Sequence, residues 1–186
     1  MSFNDELVFE SALINLLFEK GWEKTVLKRK TEKELIQNWA DILFENNRGI
    51  DRLNDYPLTE GEMGQILEQI TKLRTPLMLN GFINGKTIQI KRDNPQDTLH
   101  FGKEISLSIY DRQEIAAGRS RYQIAQQPQF PTRSKMLNDR RGDLMLLING
   151  MPVIHIELKR SGTPVSQACY QIEKYAHEGV FTGLFS

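Results

Sequence analysis

The chain has little cysteine: Cys169 is the single one in 186 residues. An internal disulfide is therefore excluded, and a lone thiol suits a reducing compartment. Net charge is missing as well, since 24 basic side chains balance 24 acidic ones. Composition thus gives no reason to propose nucleic acid as a partner. No apolar run approaches the roughly 18 residues that cross a bilayer, and the acidic start MSFNDELVFE is not a signal peptide. These absences read as a cytosolic, cytoplasmic protein. Repeats, low-complexity tracts and linkers are lacking too, so a single domain over residues 1–186 is the simplest organisation. What is present is ordinary: 39% apolar and 26% charged residues, enough for a sizeable core and too apolar for disorder. The last stretch, EGVFTGLFS, stops inside an apolar, β-prone run, which leads to the expectation of the N-terminal fragment of a longer chain.

Periodicity places helices first and strands later. ELVFESALINLLFEKG predicts a helix stopped by Gly21. At 100° per residue Leu13, Ile14 and Leu17 share a face, and Glu10 lies within about 60° of all three. A carboxylate on that stripe needs a cation or a hydrogen-bond partner, unless it sits at the edge and reaches water. A second helix is predicted over about Thr31 to Asn46, with Leu35, Ile36, Trp39, Ile42 and Leu43 inward. A third opens at the capping box of Thr59 and Glu62 and runs to about Arg74. Beyond Pro76 the pattern changes to strands in FINGKTIQI, EISLSIY, RYQIAQQPQF and the pair of runs after Arg141. A last helix is predicted from Thr163 as cap, with Pro164 at its first position, to about His177. Helices followed by a mixed sheet and a returning helix make an α/β or α+β domain.

Two features look chemical without carrying chemistry. NGFINGKT, residues 80–87, nearly matches a phosphate-binding loop, but Asn80 stands where glycine is needed and a strand pattern follows. Without a helix N-terminus the amides have no dipole to add, so Asn84-Gly85 is read as a hairpin turn. His100, His155 and His177 are too scattered to suggest a metal site by spacing.

The informative segment is RGDLMLLINGMPVIHIELKR, residues 141–160. Leu144, Leu146, Ile148, Ile154, Ile156 and Leu158, all at even positions, are aliphatic. Cross-strand partners share a face, so one aliphatic face requires even to pair with even. A two-residue turn at Asn149-Gly150 would pair Ile148 with Met151 and mix the faces. A three-residue loop, or one bulge, restores the match and sets Asp143 opposite Glu157. Two carboxylates held about 5 Å apart at Cβ repel unless a cation sits between them. A hard divalent ion, Mg²⁺ above all, meets that need, and Lys159 lies on the same side to orient a water or offset charge on a phosphate. The alternative is a surface hairpin with charged, frayed ends.

Asp143 followed by Glu157-Leu158-Lys159 resembles the PD-(D/E)xK nuclease motif. RRGDLMLLINGMPVIHIELKRSG followed by YQIEKY is similar to the N-terminal nuclease region of the restriction (motor) subunit of type I restriction enzymes, whose pattern ends in Gln-x-x-x-Tyr, matched here by Gln171 and Tyr175. Gly142 stands where the motif has proline. The resemblance implies a restriction-endonuclease-like mixed β-sheet flanked by helices, with a helical N-terminal half. It implies Mg²⁺-dependent, sequence-nonspecific hydrolysis of double-stranded DNA, with Asp143, Glu157 and Lys159 catalytic and Asp143 and Glu157 on the metal. It raises Glu10, with Glu6 as substitute, as a further metal ligand from the first helix. Gln171, Tyr175, Arg141 and Arg160 would contact DNA or brace the site. Arg133, Lys135 and Arg140 add local positive charge. Methylation and specificity subunits would be partners, and ATP would serve a helicase-like motor downstream, not these residues. The competing expectation is a catalytically silent nuclease fold that binds DNA or a subunit.

Overall fold

A computed structural model describes residues 3–49, 51–73, 78, 87–109, 120–130, 140–159, 164, 166, 167, 169, 170 and 173, with backbone alone at 3–6, 140 and 141. In chain order the elements are α1 (Phe3–Glu19), β1 (Leu27–Lys28), α2 (Glu32–Asn46), α3 (Glu60–Thr71), β2 (Thr87–Lys91), β3 (Glu104–Ser108), β4 (Tyr122–Gln126), β5 (Gln129–Phe130), β6 (Arg140–Arg141), β7 (Leu144–Ile148) and β8 (Met151–Ile156). Among the described residues this is an α/β arrangement with a mixed sheet and three named helices, and residues 166, 167, 169, 170 and 173 are helical as well. The chain divides into two compact units, Met1–Leu35 with Arg121–Ser186, and Ile36–Ser120.

The first unit holds a four-stranded sheet ordered β1-β4-β7-β8, with β1 parallel to β4 and the other neighbours antiparallel. β7 is covered on both faces, and Leu144, Met145, Leu146 and Leu147 are all buried. One face receives α1: Ile14 packs with Ile124, Leu144 and Leu146, and Leu13, Leu17, Phe18, Trp22, Val26 and Ile156 close around them. Trp22 meets Tyr122 edge to face at 5.6 Å. The helix ends where sequence places its stop, with Gly21 at φ +94.

In the β7–β8 hairpin the turn does have two residues. Asn149 and Gly150 carry φ of +51 and +81, and Ile148 pairs with Met151. An irregularity between Leu146 and Leu147 then shifts the register, so that Leu146 pairs with Ile154 and Leu144 with Ile156. The bulge is thus the device that restores even-to-even pairing. One expectation is corrected: the aliphatic face is not sealed along β8. Val153 and Ile154 are exposed, because β8 is outermost among the described strands.

The expected strand over 121–130 is broken. Gln127 adopts a φ of +52, and the chain resumes as β5, which pairs with β6. Pairing continues through the break, with Gln127 N–H donating to the Asp143 carbonyl at 2.7 Å and Gly142 N–H to the Pro128 carbonyl at 3.1 Å.

The second unit is built on α3 and the β2–β3 hairpin. The capping box of Thr59 and Glu62 forms as expected, and Ile66, Ile70, Ile88, Ile90 and Leu107 are buried. Glu62 also serves the core of this unit. Its Oε2 accepts from Arg92 at 2.7 Å, while Arg92 Nε donates to Asp97 at 2.9 Å, all three fully buried. The remaining guanidinium donors reach the carbonyls of Leu53, Tyr56 and Pro57. Ile36, expected inward on α2, is half-buried, while Leu35, Trp39, Ile42 and Leu43 are buried. Residues 80–86 lie outside the described residues, and the strand β2 that follows offers no helix N-terminus to a phosphate. No helix among the described residues is long and apolar enough to cross a membrane.

Candidate active site

The bulged register ends at the Leu144/Ile156 pair, and continued by one step it sets Asp143 opposite Glu157. Asp143 Oδ2 accepts from the amide of Leu158 at 2.6 Å, which fixes that carboxylate against the segment that follows β8 and carries Glu157. Lys159 Nζ donates to Glu157 Oε1 at 3.0 Å, so the ammonium and the second acid form one ion pair. On the other side of Glu157, His155 Nε2 lies 3.9 Å from Oε2.

Glu10 reaches the same neighbourhood from α1. It is 4% exposed, which overturns the reading that it reaches water from the edge of the stripe. Its Oε1 accepts from Gln126 Nε2 at 2.6 Å, and Gln127 Nε2 lies 3.5 and 3.4 Å from Oε1 and Oε2.

The electrostatics of Asp143 register the gathering. Its carboxyl is pushed up to about 6, first by burial and further by the negative charges of Glu157 and Glu10, while the Leu158 amide and Lys159 pull it down. Three carboxylates thus share their surroundings with one ammonium. Burial also pushes the His155 imidazole down, partly countered by Glu157.

Among the described residues no group of three or more metal-ligating side chains is already gathered to hold an ion. The fit therefore rests on the donor set, the carboxylates of Asp143 and Glu157 with Glu10 as a third acid close enough to act on Asp143. Hard all-oxygen donors of this kind suit Mg²⁺ or Mn²⁺.

Of the other residues singled out in the sequence, Arg141 pairs through its backbone with Gln129 in the β5–β6 ladder. Gln171, Tyr175, Arg160, Arg133 and Lys135 lie outside the described residues, as do the cap Thr163 and the final strand. Gln126, Gln127 and the Leu158 amide carry no signal of their own in the sequence. Alternation along a strand would send the two glutamines to opposite faces, so no periodicity marks them as a pair.

Gly142, which stands where the motif has proline, now has an explanation. A Cβ there would come within 2.9 Å of His155 Nε2, and its N–H donates to the Pro128 carbonyl. The glycine makes room for the imidazole beside Glu157.

Comparison with known proteins adds the context. The family model described as "Type I restriction enzyme R protein N terminus" matches residues 2–186. The chain is 29% identical over 185 residues to the type I restriction enzyme SauCOLORF180P endonuclease subunit of Staphylococcus aureus (strain COL), covering 100% of this chain and 18% of that protein. It is 30% identical over 185 residues to the SsaAORF53P endonuclease subunit of Staphylococcus saprophyticus, with the same coverage. It is 26% identical over 178 residues to the EcoprrI endonuclease subunit of Escherichia coli, covering 95% of this chain and 51% of that protein. The chain therefore spans under a fifth of the length of the staphylococcal relatives.

Proposed function

The chain belongs to the family of type I restriction enzyme R protein N termini, and from that membership and the geometry of the hairpin we propose that it is the DNA-cleaving module of such an R protein. The reading includes a PD-(D/E)xK nuclease fold for the sheet of the first unit. The reaction is Mg²⁺-dependent hydrolysis of phosphodiester bonds in double-stranded DNA, without sequence preference. The observation that carries it is the facing of Asp143 and Glu157 with Lys159 bonded to the second acid.

Asp143 and Glu157 would hold the ion, with Glu10 as the third acid. When bound, a divalent cation supplies Lewis-acid polarisation of the phosphate and lowers the pKa of the attacking water. Asp143 has first to lose its proton, which burial retains up to about pH 6. The Leu158 amide keeps its carboxylate aimed while it does so. Lys159, held at 3.0 Å by Glu157, brings a fixed positive charge against the charge that develops on the phosphate. Gln171, Tyr175, Arg141 and Arg160 are assigned to the DNA backbone or to bracing the site, where salt-dependent binding is expected. ATP-driven translocation is assigned to the remainder of the subunit, target choice and methylation to the other subunits, and the setting to the cytoplasm.

The test is alanine at Asp143, Glu157 and Lys159, one at a time, in the full R protein assembled with its partner subunits. Each variant is expected to lower DNA cleavage by at least about 10²-fold while leaving ATP hydrolysis in place, which certifies assembly. Cleavage at the parent rate after any of the three substitutions would leave a nuclease fold that only binds DNA or a subunit.

A further inference from the structure

Glu10 stands on α1, 133 positions before Asp143 in sequence, and something has to hold its buried carboxylate toward the hairpin. The structure supplies two neighbouring amides at the end of β4. In a regular strand Gln126 and Gln127 would point to opposite faces. The positive φ of Gln127, +52, turns the chain so that both side chains meet one carboxylate, at 2.6 Å from Gln126 and at 3.4 and 3.5 Å from Gln127. That backbone conformation is costly for a residue with a Cβ. Glycine would adopt it freely, so the glutamine side chain is what the position retains. The same residue is bound to the first acid, since its N–H donates to the carbonyl of Asp143 at 2.7 Å.

We infer that Gln126 and Gln127 are positioning residues, a two-amide clamp that holds the Glu10 carboxylate and ties it through the Gln127 backbone to Asp143, making Glu10 the third oxygen donor for a divalent cation. The inference rests on the reading of Asp143 and Glu157 as the cation's first two ligands. Amide N–H donors suit this role because they bind the charged carboxylate without contributing a charge that would compete with the ion. The turned backbone also ties the clamp to the sheet, through the Gln127 N–H bond to the Asp143 carbonyl.

The experiment compares the full R protein with Q126M/Q127G, which removes both amides while glycine accepts the positive φ, and with Q127N, which keeps an amide on a backbone that asparagine tolerates. Mn²⁺ affinity is followed by electron paramagnetic resonance in the absence of ATP. Occupancy is located by Fe²⁺-directed backbone scission, and each variant is melted without metal. Q126M/Q127G is expected to bind Mn²⁺ about 10- to 100-fold more weakly, the loss usual for outer-shell partners, and to lose scission beside Glu10. Q127N is expected to fall between the two. In an E10Q background the double substitution is expected to add nothing, because the clamp acts through that carboxylate.

Unchanged Mn²⁺ affinity, or losses that add to those of E10Q, would overturn the clamp while leaving Asp143 and Glu157 as ligands. Absence of scission beside Asp143 and Glu157 in the parent protein would overturn the metal reading itself and the clamp with it. Should Q126M/Q127G fail to melt cooperatively, Q127N and Q126M alone carry the same comparison.

Discussion

The amide of Leu158 donates to Asp143 Oδ2 at 2.6 Å, so the residue between Glu157 and Lys159 in sequence holds the acid that faces them. The bond couples the two ends of the hairpin directly. Asp143 is nonetheless pushed up to about 6, because burial and two neighbouring acids outweigh that amide and Lys159.

A pH dependence follows. A carboxyl with a folded-state pKa above its ordinary value of about 4 favours folding while protonated. Its contribution is complete below about pH 4 and is lost as pH rises through about 6. For this half-buried group the loss is about 1–2 kcal/mol after solvent screening is allowed for. Urea melts without metal at pH 4.5 and pH 7.5 are expected to show this decrement in the parent and its absence in D143N. Mn²⁺ affinity is expected to fall below pH 6 as the proton competes for Asp143.

Lys159 separates charge stabilisation from ion binding. K159A is expected to lower cleavage by about 10²- to 10³-fold, the range for losing one donor aimed at developing charge. Mn²⁺ affinity should not fall, since the substitution releases the Glu157 oxygen bonded at 3.0 Å. Single-turnover cleavage and a Mn²⁺ titration on the same preparation check both halves.

Gly142 tests the space beside the acids. G142P removes the N–H bonded to the Pro128 carbonyl at 3.1 Å and drives a ring into His155. The expected cost is about 1–3 kcal/mol. G142A keeps the N–H and asks only that the imidazole shift, so it should cost less. Chemical denaturation of the two variants gives the order, and equal stability of G142P and the parent would contradict the packing described.

Arg92 anchors the second unit through two fully buried acids. R92M leaves Glu62 and Asp97 without their cation and is expected to cost about 3–5 kcal/mol. Replacing all three by apolar residues of matching volume should restore only part of it, because the carbonyls of Leu53, Tyr56 and Pro57 and the amides of Thr59 and Asp93 lose their partners. Thermal melts of the single and triple variants distinguish a lost charge partner from lost packing.

The parts of the molecule visible in sequence are those where one local rule acts alone. Aliphatic residues at every even position from Leu144 to Leu158, the turn and Pro152 aside, required a bulge or a longer loop, and the bulge between Leu146 and Leu147 supplies it. The helical wheel put Glu10 beside Ile14 and Leu17, and that stripe is where α1 meets the sheet. Legibility ends where a residue answers to two partners far apart in the chain. Glu62 reads as half of a capping box, but nothing near it announces Arg92 thirty positions later. Gln126 and Gln127 are hidden because a single positive φ suspends the alternation on which strand reading depends. The exposure of Ile154 escapes the sequence for a related reason: parity tells which side a residue faces, not whether a neighbour covers that side.

The bulge also acts as a counting device. With Ile148 opposite Met151, an unbroken ladder would give facing residues numbers that sum to 299 and would set Asp143 against Ile156. The irregularity raises the sum to 300 for every pair below it, as in Leu144 with Ile156, and delivers Glu157 to Asp143 instead. Val153 is the extra residue, skipped between the Leu147/Pro152 and Leu146/Ile154 pairs; deleting it would return the tally to the lower figure and also move Glu157 one place nearer the turn, so the two acids would still face each other and only the irregularity would be lost.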